Sequence, residues 1–347
     1  MEKKVIVLNE ERNVSLTCYI LQVGGKFENI ANRPAVIIMP GGAYQYCSDR
    51  EAEPVAFAYL KAGYHVFILR YSVGQHASWP NPLSDYEQAM ELIRSKADEW
   101  NIYKDKIAVI GFSAGGHLAA SAATMSKNRP NAAILGYAVT LEYLAKICEP
   151  SAPDLVSEVD KDTCPCFLFS TRNDIIVPIE NTTKFINALV ENNIAFESHI
   201  YSFGPHGFSI ANSSVIDRDT QICNRAKNWV SDSIEWLKEV FGDFGDGRLT
   251  KPKYKGKIVD DTEAYLSIDC TMGLLMKNQE AAKIIEPLVS KVMEDMSLMN
   301  KQAELDKDII DRYVSKMTLR TFVSLAEFPD DVAIDFDKKL RQIPNEL

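Results

Sequence analysis

Hydrophobic and polar positions follow two different rhythms along this chain. Near the start the segments Lys4 to Leu8 and Val14 to Val23 carry the period-two pattern of strands, with polar turns between them. From residue 35 the pattern changes to short, continuously apolar runs that alternate with longer stretches of helical period. The runs AVIIMP (35–40), HVFILRYS (65–72), IAVIG (107–111), AAILGYAV (132–139), CFLFST (166–171) and FESHIYSF (196–203) are predicted strands. Helices are predicted between them. The first covers 48–64, where Ser48 and Glu51 stand in capping-box spacing and Gly63 closes the segment. The second covers 85–100, with Tyr86, Met90, Ile93, Ala97 and Trp100 on one face. A small-residue helix opened by Ala114, a helix over 181–193 capped at both ends, and one over 222–241 complete the series. Apolar strands separated by amphipathic helices predict an α/β fold with a mostly parallel central sheet covered on both faces. Catalytic loops in such a sheet lie at the carboxyl ends of the strands.

After Phe241 the composition shifts. GDFGDGRLTKPKYKGK (242–257) is rich in glycine and lysine and reads as a linker. Beyond it, 271–296 and 304–328 have helical periodicity and little β character. The predicted organisation is an α/β domain over 1–244, a linker over 245–258 and a small all-α module over 259–347. Neither an internal repeat nor a low-complexity tract interrupts it.

Composition narrows the class of partner. The chain has 347 residues, 46% hydrophobic and 25% charged, with 48 acidic against 38 basic side chains and a net charge of −10. That balance argues against a nucleic-acid surface and offers nothing to an anionic membrane. No apolar run approaches the ~18 residues of a membrane span, and the N-terminus lacks the apolar core of a signal peptide. The 7 cysteines are scattered, and Cys164 and Cys166 flank a proline too tightly for a zinc knuckle. A reduced, cytoplasmic protein with free thiols is expected.

Candidate chemistry centres on GFSAG, residues 111–115, at a strand-to-helix junction. Gly-x-Ser-x-Gly in that setting forces the serine onto a strained turn and exposes its oxygen above the sheet, so Ser113 is the candidate nucleophile. A serine hydroxyl needs a base, a group that orients the base, and donors for the oxyanion. Of the 5 histidines, His65 and His199 fall in strands, His117 lies one turn into the helix, and His76 sits in a polar loop. His206, in GPHG after the last strand, remains as the base. Asp174 follows the strand CFLFST and precedes a helix, which suits the orienting acid. Asp154, Asp160 and Asp162 are the substitutes, at that strand's wrong end. Backbone donors are expected from Ala114 and from the glycine loop MPGGAY, at Gly42 and Ala43. Tyr44, Trp79 and Tyr137 are candidate walls for a substrate. No His-x-x-Glu-His or His-Glu-x-x-His motif calls for a metal, and no cofactor is expected.

Taken together, MPGGAY, SDREAEPVAFAYLKAGYHVFILRYSV, GFSAGGHLAAS, TRNDIIVPIENTTKF and GPHGFSIA, spread over about residues 30 to 240, resemble the bacterial acetyl-esterase and acetylxylan-esterase-like branch of the α/β-hydrolases. The resemblance implies an α/β-hydrolase fold with a minimal lid, Ser113, Asp174 and His206 as triad, and Gly42, Ala43 and Ala114 as oxyanion hole. It implies deacylation of a small-molecule or oligosaccharide ester, acetylated xylo-oligosaccharides included. Pro40-Gly41-Gly42-Ala43 stands where many relatives have His-Gly-Gly-Gly. The 259–347 module resembles a helical domain appended to some carbohydrate-active enzymes, and homodimerisation through it is an expectation. An amidase or oligopeptidase on the same scaffold, and a catalytically silent binding protein, are the rival readings.

Overall fold

A computed structural model describes residues 1–245, 248–300, 307–325 and 328–345, without the side chains of 291–300, 307–310, 325 and 330. The chain divides into two compact units, Met1–Gly256 and Lys257–Leu347.

Eight strands of the first unit form one sheet: β1 (Glu2–Asn9), β2 (Val14–Ile20), β3 (Arg33–Met39), β4 (His65–Arg70), β5 (Ile102–Phe112), β6 (Ala132–Gly136), β7 (Cys166–Thr171) and β8 (Phe196–Tyr201). Their order across the sheet is β1-β2-β4-β3-β5-β6-β7-β8. The β1–β2 hairpin joins the antiparallel side of β4, and from β4 to β8 every neighbouring pair is parallel. Register is set by residues such as Val109, opposite Ile37 on one side and Ala133 on the other.

The connecting helices are α1 (Glu53–Lys61), α2 (Asn81–Ser95), α3 (Ala97–Trp100), α4 (Ser113–Thr124), α5 (Glu142–Cys148), α6 (Glu180–Glu191) and α7 (Trp229–Phe241). Although the strands are apolar throughout, their side chains still alternate between two cores. Ile37, Val109, Leu135 and Leu168 pack with Tyr86, Met90 and Ile93 of α2, Leu118 of α4, and Phe185 and Leu189 of α6. Val36, Ile38, Ile110, Ile134 and Phe169 pack with Val55 and Tyr59 of α1 and with Trp229, Trp236 and Leu237 of α7. Each such fully buried aliphatic side chain contributes about 1.5–3 kcal/mol by leaving water, which is why the sheet needs helices on both faces.

Several boundaries differ from the sequence reading. The segment 48–64 is a 3-10 turn (Asp49–Glu51) followed by α1, and Ser48 makes no side-chain cap. Glu51 does not reach back to Ser48; it turns inward, into the site described below. Helix α2 begins early, at Asn81, with a proline in its first turn, and breaks before α3, which Asn101 closes at φ 55°. At α6 the expected N-terminal cap is missing, because the Asn181 side-chain oxygen accepts instead from the N–H groups of Thr140 and Leu141. The far end does close, with Asn193 at φ 60° and Ile194 N–H on the Leu189 carbonyl. Helix α7 starts only at Trp229, whose indole N–H donates to the Ser209 carbonyl at 2.8 Å.

Residues 250–256 are laid along the first unit. The amides of Lys253 and Tyr254 donate to the Glu239 carbonyl, Gly256 accepts from Ala195 N–H, and the Tyr254 ring meets Trp236 edge-on. The second unit holds α8 (Met272–Lys277), α9 (Gln279–Asn300), α10 (Lys307–Lys316), α11 (Leu319–Leu325) and α12 (Asp330–Leu340). Its own core contains Leu266, Ile268, Leu275, Ile285, Leu319, Phe322 and Leu340. The helical stretch read from 271 is divided at Asn278, whose side-chain oxygen accepts from the amides of Glu280 and Ala281. The stretch read from 304 is divided between α10 and α11, and its residues 304–306 and 326–327 lie outside the described ones. Among the described residues, no helix is long and apolar enough to cross a membrane. All seven cysteines are free thiols.

Candidate active site

Strand β5 ends in extended backbone at Phe112, and the chain reverses at Ser113, the first residue of α4, which has φ 53°. A left-handed conformation at a residue with a Cβ costs about 1–3 kcal/mol and persists only where packing enforces it. Here the enforcement is close contact. A Cβ on Gly111 would stand 2.1 Å from the Gly115 carbonyl, and one on Gly115 would stand 2.2 Å from that of Met39. Strand, turn and helix are thus pressed together, and the Ser113 hydroxyl is left at the carboxyl edge of the sheet.

Two later strand ends bring up its partners. His206 follows β8 in a loop held by the Thr171 hydroxyl, which donates to the Gly204 carbonyl at 2.8 Å, and by Asn173, which accepts from Gly204 N–H at 3.0 Å. His206 Nε2 lies 2.8 Å from Ser113 Oγ, and Nδ1 lies 2.7 Å from Asp174 Oδ2. The second oxygen of Asp174 accepts from the amides of Ile176 and Val177 at 2.9 and 3.0 Å. A buried carboxylate acceptor at Nδ1 places the imidazole proton there and leaves Nε2 free to accept from the serine. The Asp174 side chain is fully buried, whereas His206 keeps 17% of its side-chain surface exposed. The Tyr137 ring supports the imidazole edge-on at 5.0 Å.

Asp154 and Asp160 are engaged elsewhere, and Asp162 is exposed. Asp154 accepts from the amides of Glu142 and Ser157, and Asp162 N–H turns back onto Asp160. Asp160 pairs with Arg129, whose hydrogen bonds bring its carboxyl down to about 2. Two of the other histidines are locked as neutral rings. His117 Nε2 donates to the Pro153 carbonyl and Nδ1 accepts from the Tyr44 hydroxyl. His65 Nε2 donates to the Asn101 carbonyl and Nδ1 accepts from Leu21 N–H. Burial lowers both to about 4. His199 on β8 lies 2.7 Å from Glu197, and His76 ends a 3-10 turn.

The loop after β3 carries φ values of 134°, 52° and 60° at Gly42, Ala43 and Tyr44. Several bonds hold it in this unfavourable conformation. Tyr71 hydroxyl donates to the Pro40 carbonyl at 2.6 Å, Gly74 N–H donates to the Tyr44 carbonyl at 2.8 Å, and Tyr44 hydroxyl reaches His117 at 2.8 Å. Gly41 N–H is committed to Glu51 Oε2 at 2.7 Å. Among the described residues, nothing accepts from the backbone N–H groups of Gly42, Ala43 or Ala114. Free amides beside a strained serine, one of them at a helix N-terminus, are what a developing oxyanion requires.

Of the three candidate wall residues, Tyr44 and Tyr137 are fully buried and offer no surface to a sugar. Their hydroxyls serve His117 and Glu51 instead. Trp79 is half-buried, edge-on to both Tyr44 and His117. Glu51 is the residue that sequence reasoning missed. It is 4% exposed, and its oxygens accept from Gly41 N–H and from the Tyr137 hydroxyl, 86 positions away.

Residues 26–142 match the BD-FAE family model. An α/β-hydrolase enzyme from a Medee basin deep-sea metagenome library is 42% identical in its solved structure, with a TM-score of 0.64 over 69% of this chain and 98% of that one. The acetyl ester-xyloside bifunctional hydrolase of Caldicellulosiruptor lactoaceticus is 29% identical, with a TM-score of 0.58 over 66% and 88%. The acetylxylan esterase of Xylanibacter ruminicola is 28% identical over 60% of this chain and 46% of its own. The match spans between 33% and 46% of the lengths of the first curated relatives. A serine elbow on this strand order, together with 42% identity over nearly the whole of a solved α/β-hydrolase, establishes that the chain belongs to the α/β-hydrolase family.

Proposed function

We propose that this esterase removes small acyl groups, acetyl above all, from a sugar or xylo-oligosaccharide, with Ser113 as nucleophile. The observation that carries the reading is the unbroken hydrogen-bond chain from Ser113 Oγ through His206 to Asp174, at 2.8 and 2.7 Å. His206 Nε2 takes the serine proton as Oγ attacks the ester carbonyl. The carbonyl oxygen becomes an oxyanion between Ala114 N–H and the Gly42–Ala43 loop, where each well-aimed donor is worth about 2.7–4 kcal/mol. Asp174 holds the Nδ1 proton and offsets the charge of the imidazolium. That imidazolium then gives its Nε2 proton to the departing sugar oxygen, leaving the acyl group on Ser113. Water, deprotonated by His206, attacks the acyl-enzyme, and acetate leaves by the same steps in reverse.

The substrate class draws support from the two relatives named for acetyl esters of xylan and xyloside. It also agrees with the short cover over the site. Between β6 and β7 the one helix is α5, seven residues long, so this segment supplies no large lid. Exposed apolar side chains flank the machinery on its own loops, with Tyr46 after the oxyanion residues and Ile175 and Ile176 after Asp174. The test is acetate release from acetylated xylo-oligosaccharides, measured beside aryl acetates and peptide amides. Faster turnover of the acetylated sugar is expected, and Ser113→Ala should lower kcat by about 10⁶-fold without unfolding the protein. Peptide amides turned over faster than the esters would displace the assignment.

A further inference from the structure

Glu51 is a buried carboxyl group that the reaction as written does not use, yet it touches both halves of the machinery. Its Oε2 takes the N–H of Gly41, the residue immediately before the oxyanion loop's free amides. Its Oε1 takes the hydroxyl of Tyr137 at 2.6 Å, and the Tyr137 ring is the surface on which His206 rests. Tyr137 hydroxyl also accepts from Ser209 N–H at 3.1 Å, so its own proton is directed at Glu51. Two donors therefore converge on the carboxyl group, one on each oxygen. A protonated acid would add a third hydrogen to this arrangement, and the Tyr137 hydroxyl would have to turn its own proton away from Glu51 to receive it. Burial is the strongest influence on the group and leaves it above its usual range. The two hydrogen bonds, and then the charges of His206 and Arg50, favour the carboxylate and offset part of that rise.

We propose that Glu51 is a positioning residue, held as a carboxylate, that fixes the oxyanion loop through Gly41, fixes the seat of His206 through Tyr137, and sets a second buried negative charge, besides Asp174, facing the imidazolium. The inference rests on the reading of Ser113 and His206 given above. Glutamine at this position is nearly isosteric but offers one acceptor oxygen to two donors and carries no charge, so one of the two ties must break. Loss of a negative charge facing His206 makes the imidazolium harder to form.

The experiment is steady-state hydrolysis of a soluble aryl acetate by the full chain across pH. Glu51→Gln is expected to lower kcat by about 10- to 100-fold while KM stays within about threefold, because the interactions lost serve the transition state. The acid limb of its kcat/KM profile is expected to move to lower pH by about half a unit or more. Tyr137→Phe, which keeps the ring under His206 and removes only the hydroxyl, is expected to lower kcat about 3- to 10-fold at unchanged KM. Wild-type kcat in Glu51→Gln, or a loss of kcat with the acid limb unmoved, overturns the proposal. Should Glu51→Gln fail to fold, an unchanged kcat in Tyr137→Phe overturns it. Activity surviving in Ser113→Ala removes instead the reading on which it rests, and that outcome is distinct from the other two.

Discussion

His117 and His206 are both within reach of the nucleophile's neighbourhood, and they have opposite fates. His117 stands four positions after Ser113 on the same helix, is wholly buried, and spends both nitrogens on Tyr44 and Pro153. His206 is 93 positions away, on a loop, and keeps one nitrogen for the serine and one for an aspartate. The difference teaches that proximity in sequence says little about which imidazole can work. A base must be able to gain a proton, and His117 sits where a charge has no water and no free acceptor. Its task is structural, since it holds Tyr44 and through Tyr44 the oxyanion loop.

This contrast can be broken in several ways. The largest effect is expected from His206→Ala, which should reduce kcat on an aryl acetate by about 10⁵- to 10⁶-fold with the fold retained. Retention of activity in that variant, or a greater loss in His117→Ala with folding intact, would reverse the two roles. Next comes Asp174→Asn, expected to cost about 10⁴-fold because the amide can present its N–H to Nδ1 and impose the wrong tautomer. Asp154→Asn, measured beside it, should leave kcat within about twofold. Of the two histidines compared, His117 should matter far less to turnover: His117→Gln is expected to stay within about tenfold, and its signature lies in stability. His65 and His117 are neutral when folded down to about pH 4, whereas in the unfolded chain each gains its proton at about 6.5. Stability from each is therefore present above about pH 6.5 and is lost as pH falls toward 4, by about 3 kcal/mol per histidine. Calorimetric Tm values should fall steeply over that window in the wild type. Half of this histidine-linked fall should vanish in His117→Gln, and an unchanged slope would contradict the assignment.

Much of this was legible in the residues and some was not, for reasons that can be named. The GFSAG junction was readable because an apolar strand, a small-residue helix and paired glycines all fall within a few positions of Ser113. Asp174 and His206 were found through a topological rule, that loops at the carboxyl ends of parallel strands share one edge. Glu51 was hidden because Ser48-x-x-Glu51 imitates a capping box, while its real partner, Tyr137, lies on another strand's end. Tyr44 and Tyr137 read as sugar walls because an aromatic residue beside a site has the same letter whether it faces solvent or core. The N-terminus of α6 failed similarly, since Asn181 was recruited by the Thr140–Leu141 backbone instead of its own helix. In each case the local pattern was valid and a distant group outbid it.

The spacing of the site along the chain has a consequence for synthesis. Ser113 directly follows β5, but the base proposed for it arrives only after β8, 93 residues later. At translation rates of about 5–20 residues per second, a nascent chain exposes the serine for about 5–20 seconds before the histidine exists. The parallel pairings of β6, β7 and β8 are non-local and close slowly, so assembly lags further. Throughout that interval Ser113 is an ordinary alcohol. Hydrolytic power is thus withheld until the last strand is seated, and a truncated or half-folded chain carries the nucleophile without its reactivity.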